Sequence, residues 1–126
     1  MAVNGIVVSV TSAKSPEDVS VIKVSGYLDT TTARDLESAL NSLLDRGNYK
    51  LVLDLSGVTY ISSAGWGIFI GEIKGIRNHG GDLKLAAMIG DVFEVFRLLE
   101  FQSILEAYPS VQEAKEAFAK KASGRA

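Results

Sequence analysis

The sequence predicts an α/β domain: a mixed, mainly parallel sheet of four to five strands carrying about four helices. Three observations lead there. Short branched-apolar runs alternate with segments whose apolar residues recur every three or four positions, the pattern of strands alternating with helices packed upon them. Two runs near the start, residues 6–10 and 19–24, are joined through the turn-forming stretch 14–18 and read as a hairpin, which makes the sheet mixed. A length of 126 residues, 47% apolar and 22% charged, suits one globular domain with room for a core.

The elements follow in order. The first strand is the β-branched run Ile6-Val7-Val8-Ser9-Val10, and the second sets Val19 and Val21 on an apolar face. Gly26-Tyr27-Leu28-Asp29 then leaves that strand. Asp29, or one of Thr30, Thr31 and Thr32, caps a first helix with the stripe Ala33, Leu36, Leu40, Leu43 and Leu44, and Gly47 stops it. Leu51-Val52-Leu53 reads as a short buried strand that Asp54 ends, leaving through Ser56-Gly57 into a tight connection. Ser62 and Ser63 stand ahead of a second helix whose apolar face is Trp66, Phe69, Ile70, Ile73 and Ile76. Gly80-Gly81 breaks the chain before the strand Leu83-Lys84-Leu85-Ala86. Residues 91–99 form a third helix with Val92, Val95, Phe96 and Leu99 on its stripe. Ile104-Leu105 is expected as a short edge strand. Ser110 and Glu113 make a capping box that opens a last helix carrying Val111, Ala114 and Phe118. The domain is expected to span residues 1–119, with 120–126 a disordered tail.

Composition removes several kinds of function. A net charge of −2 provides no bulk attraction to nucleic acid or an anionic membrane. With no cysteine and a single histidine, His79, neither a disulfide frame nor a histidine-rich metal site is available, and no cofactor is expected. No apolar run approaches the ~18 residues of a membrane span, and the first ten residues lack a signal-like core. A soluble, cytoplasmic protein is the simple reading. Catalysis is not expected. Serine chemistry needs a base in reach, and His79 follows Ser63 by about 16 residues, or ~24 Å of helical rise. A Gly-x-Ser-x-Gly pattern around Ser63 and a Gly-rich phosphate loop with its lysine are both missing.

What chemistry remains gathers at the serine pair. Either hydroxyl can accept from the unpaired amides of the first turn, at the positive end of the helix dipole where a phosphate is favoured. Gly67, Gly71 and Gly75 recur every four residues and fall, with Ala64, opposite the apolar stripe. Each costs roughly 0.8–1.0 kcal/mol relative to alanine inside a helix. Such a strip implies a close approach to the backbone, by a neighbouring helix of the domain or by a docking partner. Asp29 and Asp54, read as strand-end residues, are expected to face one edge of the sheet, as turn and cap residues or as part of a partner surface.

The run from Asp54-Leu55-Ser56 through Ser62-Ser63-Ala64-Gly65-Trp66-Gly67 resembles the signature of the STAS domain. Within it, the nearest likeness is to the bacterial anti-sigma factor antagonists, whose pattern here is Asp-Leu-Ser, an apolar run, then Asp-Ser-Ser-Gly-Leu-Gly. Registering the glycines puts Gly65 and Gly67 on the family glycines and Ser63 on the serine that a partner kinase phosphorylates, with Ser62 the second candidate. The departures are Ser62 for Asp, Ala64 for the second Ser and Trp66 for Leu; Ser62 can cap the helix as Asp would. The likeness extends from Val7 to Phe118. It implies a single STAS-like domain that works by partner switching. The unphosphorylated form would bind an anti-sigma factor that is also a serine protein kinase and so release a sigma factor. Phosphorylation on Ser63 would switch binding off, and a serine phosphatase would reset it. The implied partner surface comprises Gly26, Asp29, Thr30, Asp54, Ser62, Gly65, Trp66, Gly67 and Gly71, with no direct contact to nucleic acid or membrane. Two other readings stay open: a STAS module holding a nucleotide or other anion at the Ser63 helix end, and a structural subunit of a larger signalling assembly.

Overall fold

Residues 6–11 and 19–123 are described by a computed structural model, so the expected turn at 14–18 lies outside the described residues. In chain order the elements are β1 (Ile6–Thr11), β2 (Ser20–Leu28), α1 (Ala33–Asp45), β3 (Lys50–Ile61), α2 (Ser63–Asn78), β4 (Asp82–Ala86), α3 (Gly90–Leu98), β5 (Glu106–Tyr108) and α4 (Val111–Ser123). The strands form one sheet in the order β1-β2-β3-β4-β5, antiparallel between β1 and β2 and parallel thereafter. The expected mixed sheet and its helices are therefore present.

Alternation along the central strands divides the core into two layers. Leu51, Leu53 and Leu55 of β3, with Ile22 and Val24 of β2 and Leu83 and Leu85 of β4, meet Leu36, Leu40 and Leu43 of α1, Trp66, Phe69, Ile73 and Ile76 of α2, and Val92 and Phe96 of α3. Val52 and Ala86 point the other way and meet Ala114 of α4, flanked by Val19, Val21, Val111 and Phe118. Each large side chain fully buried in this way contributes roughly 1.5–3 kcal/mol. Helix ends follow the sequence signals. Gly47 takes φ 84° and donates to Leu44 O while Asn48 donates to Leu43 O, the paired bonds of a Schellman stop. Gly80, at φ 82°, ends α2 with the same pattern of bonds to Arg77 and Ile76. The Ser110 and Glu113 box forms at the head of α4, where the Glu113 amide donates to Ser110 Oγ at 3.1 Å.

Five expectations are corrected. β2 does not end before Gly26 but runs on to Leu28, and β3 does not stop at Asp54 but runs on to Ile61. The two strands stay paired because the ladder slips between Lys23 and Ser25 and again between Gly26 and Tyr27. Those bulges keep Leu55, Val58 and Ile61 in one core although they stand three apart, a spacing no regular strand can bury on one face. Asp54 helps set the first slip by accepting the Ser56 amide at 3.0 Å. Gly57 passes so near β2 that a Cβ there would lie 2.5 Å from Ser25 Oγ. Third, Val95 and Leu99 are not core residues, being 39% and 54% exposed; the short α3 rests on the sheet through Val92 and Phe96 alone. Fourth, β5 begins at Glu106 and not at Ile104. Glu100, at φ 57°, ends α3 and leads into a 3₁₀ turn over Phe101–Ser103, so the chain cannot pair until that turn is complete. Fifth, α4 continues through Ser123, so residues 120–123 of the expected tail are helical.

The layer under α4 also holds a charge that hydropathy did not flag. Lys84 is fully buried on β4, and its Nζ donates to Asp82 Oδ2 at 3.1 Å and to Glu106 Oε1. Tyr108 Oη donates to the same Glu106 oxygen, and the Phe118 ring lies 4.8 Å from the ammonium. Burial alone would lower the Lys84 pKa. Hydrogen bonds and charge from Glu106 and Asp82 outweigh it and hold the value above the ordinary one.

Candidate functional site

The head of α2 is built by two strand ends tied together. Ser62 follows β3 without an intervening loop, in an extended conformation, and its amide donates to Leu28 O at 2.7 Å. Its Oγ accepts from the Gly65 amide at 3.3 Å, so Ser62 is the helix cap. Ser63 is then the first residue of α2, and it is exposed. The Leu28 bond brings the turn after β2 against the serine pair, and that turn is internally braced. Asp29 Oδ1 accepts from the amides of Thr31 and Thr32, both at 2.9 Å. The buried Thr32 Oγ1 accepts from the Asp29 amide at 2.8 Å and turns its hydrogen toward Tyr27 O. Of the capping candidates for α1, then, Asp29 supplies the acceptor. The Thr32 amide, helped by its hydroxyl and the Thr31 amide, holds the Asp29 carboxyl below its ordinary pKa against partial desolvation. Asp29 is therefore an anion across the neutral range, on the turn that the Leu28 bond ties to Ser62.

The expected site residues are brought together unevenly. Asp29, the exposed Thr30, Ser62 and Ser63 share this edge, and Gly26, at φ 110°, lies in the bulged stretch leading to it. Asp54 does not join them. It pairs beside Lys23 and Ala86 where β4 ends, about 23 Å back from the end of β3 at ~3.3 Å per residue, and on the face opposite Leu53 and Leu55. Gly65 and Trp66 are buried, Gly65 supporting the surface from below and Trp66 reaching the floor of a groove beside Ser63. A Cβ on Gly65 would lie 2.9 Å from Ile61 Cγ2 and 3.1 Å from Leu28 Cβ, which is why the helix can sit this close to the strand ends. Gly67 and Gly71 do face outward. Together with Gly75 they have open space where a Cβ would go, so among the described residues no neighbouring helix occupies the strip.

Two features of this end were missed from sequence. Tyr27 and Tyr60 stand opposite each other in the β2–β3 register and are 44% and 56% exposed. Between the end of β3, the head of α2 and α3 lies a groove of about 460 Å³, with Ser63, Tyr60, Val95 and Leu99 among its walls. The signal for it was a surplus. Phe93, Val95, Leu98 and Leu99 are more apolar residues than one stripe of a nine-residue helix can bury. Below the groove Trp66 packs against Phe69, Phe96 and Phe101, and its buried Nε1 has no hydrogen-bond partner among the described residues.

The single histidine does not lie near Ser63. His79 caps the far end of α2, with its Nδ1 2.9 Å from Gly75 O and its ring stacked on Tyr49. Among the described residues no group of three or more His, Cys, Asp or Glu could hold a metal ion, and no helix is long and apolar enough to cross a membrane.

Fold and site together define a small α/β domain that presents a serine-headed helix at one end of its sheet. The STAS domain family matches residues 11–114, and the chain belongs to that family. It is 35% identical over 95 residues to a Bordetella bronchiseptica protein named as the anti-sigma factor antagonist BtrV, covering 75% of this chain and 82% of that one. The anti-sigma-B factor antagonist of Staphylococcus aureus is 30% identical over 88 residues, covering 68% of this chain and 82% of the relative. Among solved structures, an anti-sigma factor antagonist from Mycobacterium paratuberculosis superposes with a TM-score of 0.77 at 25% identity, covering 94% of this chain and 97% of that one.

Proposed function

We propose that this chain is an anti-sigma factor antagonist that works by partner switching, with Ser63 as the phosphoacceptor. The observation that carries the reading is the position of Ser63: exposed, first in α2, and beside the braced, anionic Asp29 turn. The names of the relatives support the same class. In its unmodified form the surface binds an anti-sigma factor that is itself a serine kinase, and the sigma factor is released. That kinase transfers a phosphoryl group from its own ATP to Ser63 Oγ, and a serine phosphatase removes it. A phosphoserine brings a charge of about −1.5 to −2. The helix head accommodates it within this chain, but any docked surface must now accept a hydrated dianion. Each ~1.4 kcal/mol of lost binding is tenfold in affinity, and like charges forced together at an interface cost several kcal/mol. One phosphate suffices to switch partners.

The test is incubation with ATP and purified candidate anti-sigma kinases of the same genome, followed by mapping of the phosphate by mass spectrometry. Phosphate is expected on Ser63, lost in Ser63→Ala and retained in Ser62→Ala. Phosphate on Ser62, or on neither serine with any kinase that binds, overturns the assignment.

A further inference from the structure

We infer that the groove beside Ser63 is a docking pocket for an uncharged, apolar side chain of the anti-sigma kinase. This rests on the partner-switching reading and adds to it a second contact, on α3. Tyr60, Val95 and Leu99 form the rim, each at least 39% exposed, while the buried Trp66 and Val92 lie at its base. Exposed apolar side chains converging on a recess gain by being covered, since that area leaves water on docking.

The occupant follows from charge and from position. Among the described residues that line the groove, Asp91 is the one charged residue, and neither lysine nor arginine is there. A nucleotide or free phosphate would meet a carboxylate and no cation, so an anion is the wrong ligand. A leucine-, methionine- or phenylalanine-sized group matches the apolar walls and enters a groove of about 460 Å³ with room to spare. Ser63 is itself part of the wall. A kinase that acts on Ser63 has to enclose that wall, whereas a second copy of this chain seated there would close the acceptor to the kinase. Phosphorylation then acts on the pocket directly, because a dianion shut into an apolar recess loses its hydration without a compensating partner.

The test measures kinase affinity by calorimetry for the wild type and for Leu99→Lys, Val95→Lys and Leu98→Lys, with a thermal melt of each. Leu98 is the control: it is 69% exposed, adjacent in sequence, and not part of the groove. Leu99→Lys and Val95→Lys are expected to weaken binding by about tenfold or more at unchanged melting temperature, with Leu98→Lys within about twofold of wild type. Leu99→Ala, a milder change, should fall between and guards against misfolding of the lysine variants. If Leu99→Lys and Val95→Lys bind like Leu98→Lys, the pocket is not used and the inference is overturned, while Ser63 phosphorylation stands untouched. A wild-type protein that sediments as a dimer, dissociates on Leu99→Lys and keeps its kinase affinity also overturns it, with a second copy as the occupant. A wild-type protein that binds no kinase removes both readings. Binding without phosphate on Ser63 removes only the switch.

Discussion

Two glycines of the same helix should respond to alanine with opposite signs. Gly71 lies inside α2 with nothing within 4 Å of the position a Cβ would take. The substitution therefore adds no clash and gains the helix propensity difference, roughly 0.8–1.0 kcal/mol, part of it through a less flexible unfolded chain. For a chain of this length that corresponds to a rise of about 4 °C in melting temperature. Gly65 sits two turns earlier, where a Cβ would lie 2.9 Å from Ile61 Cγ2 and 3.1 Å from Leu28 Cβ. Overpacking of that kind typically costs about 1–3 kcal/mol, which cancels or exceeds the propensity gain and pries the helix head from the strand ends. The assay is chemical denaturation of Gly71→Ala and Gly65→Ala beside wild type, followed by circular dichroism. Gly71→Ala should shift the midpoint upward without changing the slope, and Gly65→Ala should not. A destabilised Gly71→Ala would mean that something packs on the strip. A Gly65→Ala as stable as Gly71→Ala would mean that the tight seat of α2 on Leu28 and Ile61 is not real.

Further outcomes follow from the same geometry. Gly71→Leu should remain folded and bind the kinase more weakly if the bare strip is docked, so normal binding in a titration would restrict the interface to the helix head and groove. Ser62→Ala removes one capping bond and should cost about 1 kcal/mol in a urea melt; no loss at all would argue that the 3.3 Å contact is not a cap. Phosphorylated and unmodified protein should melt within a few degrees of each other, because the phosphate sits at the favourable end of the helix, whereas a large fall would indicate a conformational mechanism. Lys84→Met should cost about 3 kcal/mol, the low end for breaking a buried ion network, since Asp82 keeps Arg77 and the Leu83 amide and Glu106 is partly exposed. The folded-state pKa values of Lys84 and Tyr108 both lie above their ordinary 10.5 and 10.0. Their stabilisation is therefore fully present below about pH 10 and lost as pH rises through the folded values. Urea melts from pH 7 to 11 should show that alkaline loss in wild type and a flatter profile in Lys84→Met.

How far the sequence could be read depended on whether local pattern and tertiary contact agreed. α1, α2 and α4 announce themselves by stripe, cap and stop, because those signals lie within a few residues of one another. The extent of β2 and β3 does not. Leu55, Val58 and Ile61 keep a spacing of three, which contradicts a strand until two bulges in the partner register restore each to the core. The expectation that Asp54 shares an edge with Asp29 fails for the same reason, since a strand ended too early brings its last carboxylate to the wrong edge. For α3 the periodicity overstates the buried face, since it ranks faces but cannot tell which apolar residues the sheet has room to cover. Lys84 is hidden for another reason: Asp82 stands two residues away on its own strand, but Glu106 and Tyr108 reach it only through the pairing of β4 with β5.

The long β3 has a functional consequence that a short one would lack. By carrying the chain past the end of β4, it takes the head of α2 beyond the paired residues of β4 and sets Ser63 next to Ser62, which is tied to Leu28 of β2. On one side stands the Asp29 turn, rigid and anionic; on the other the groove with α3, apolar and open. A partner reading both at once meets fixed charge and uncovered hydrophobic surface within one footprint, separated by a single hydroxyl. Adding a phosphate there changes both sides together. It extends the negative potential of Asp29 and Asp91, and it introduces a strongly hydrated group at the rim of a recess suited to none. Nothing in that sequence of effects requires the domain to change shape. The core beneath Ser63, from Trp66 through Phe69 to Phe96 and Phe101, is packed ring against ring, and a surface charge at the helix head leaves it in place.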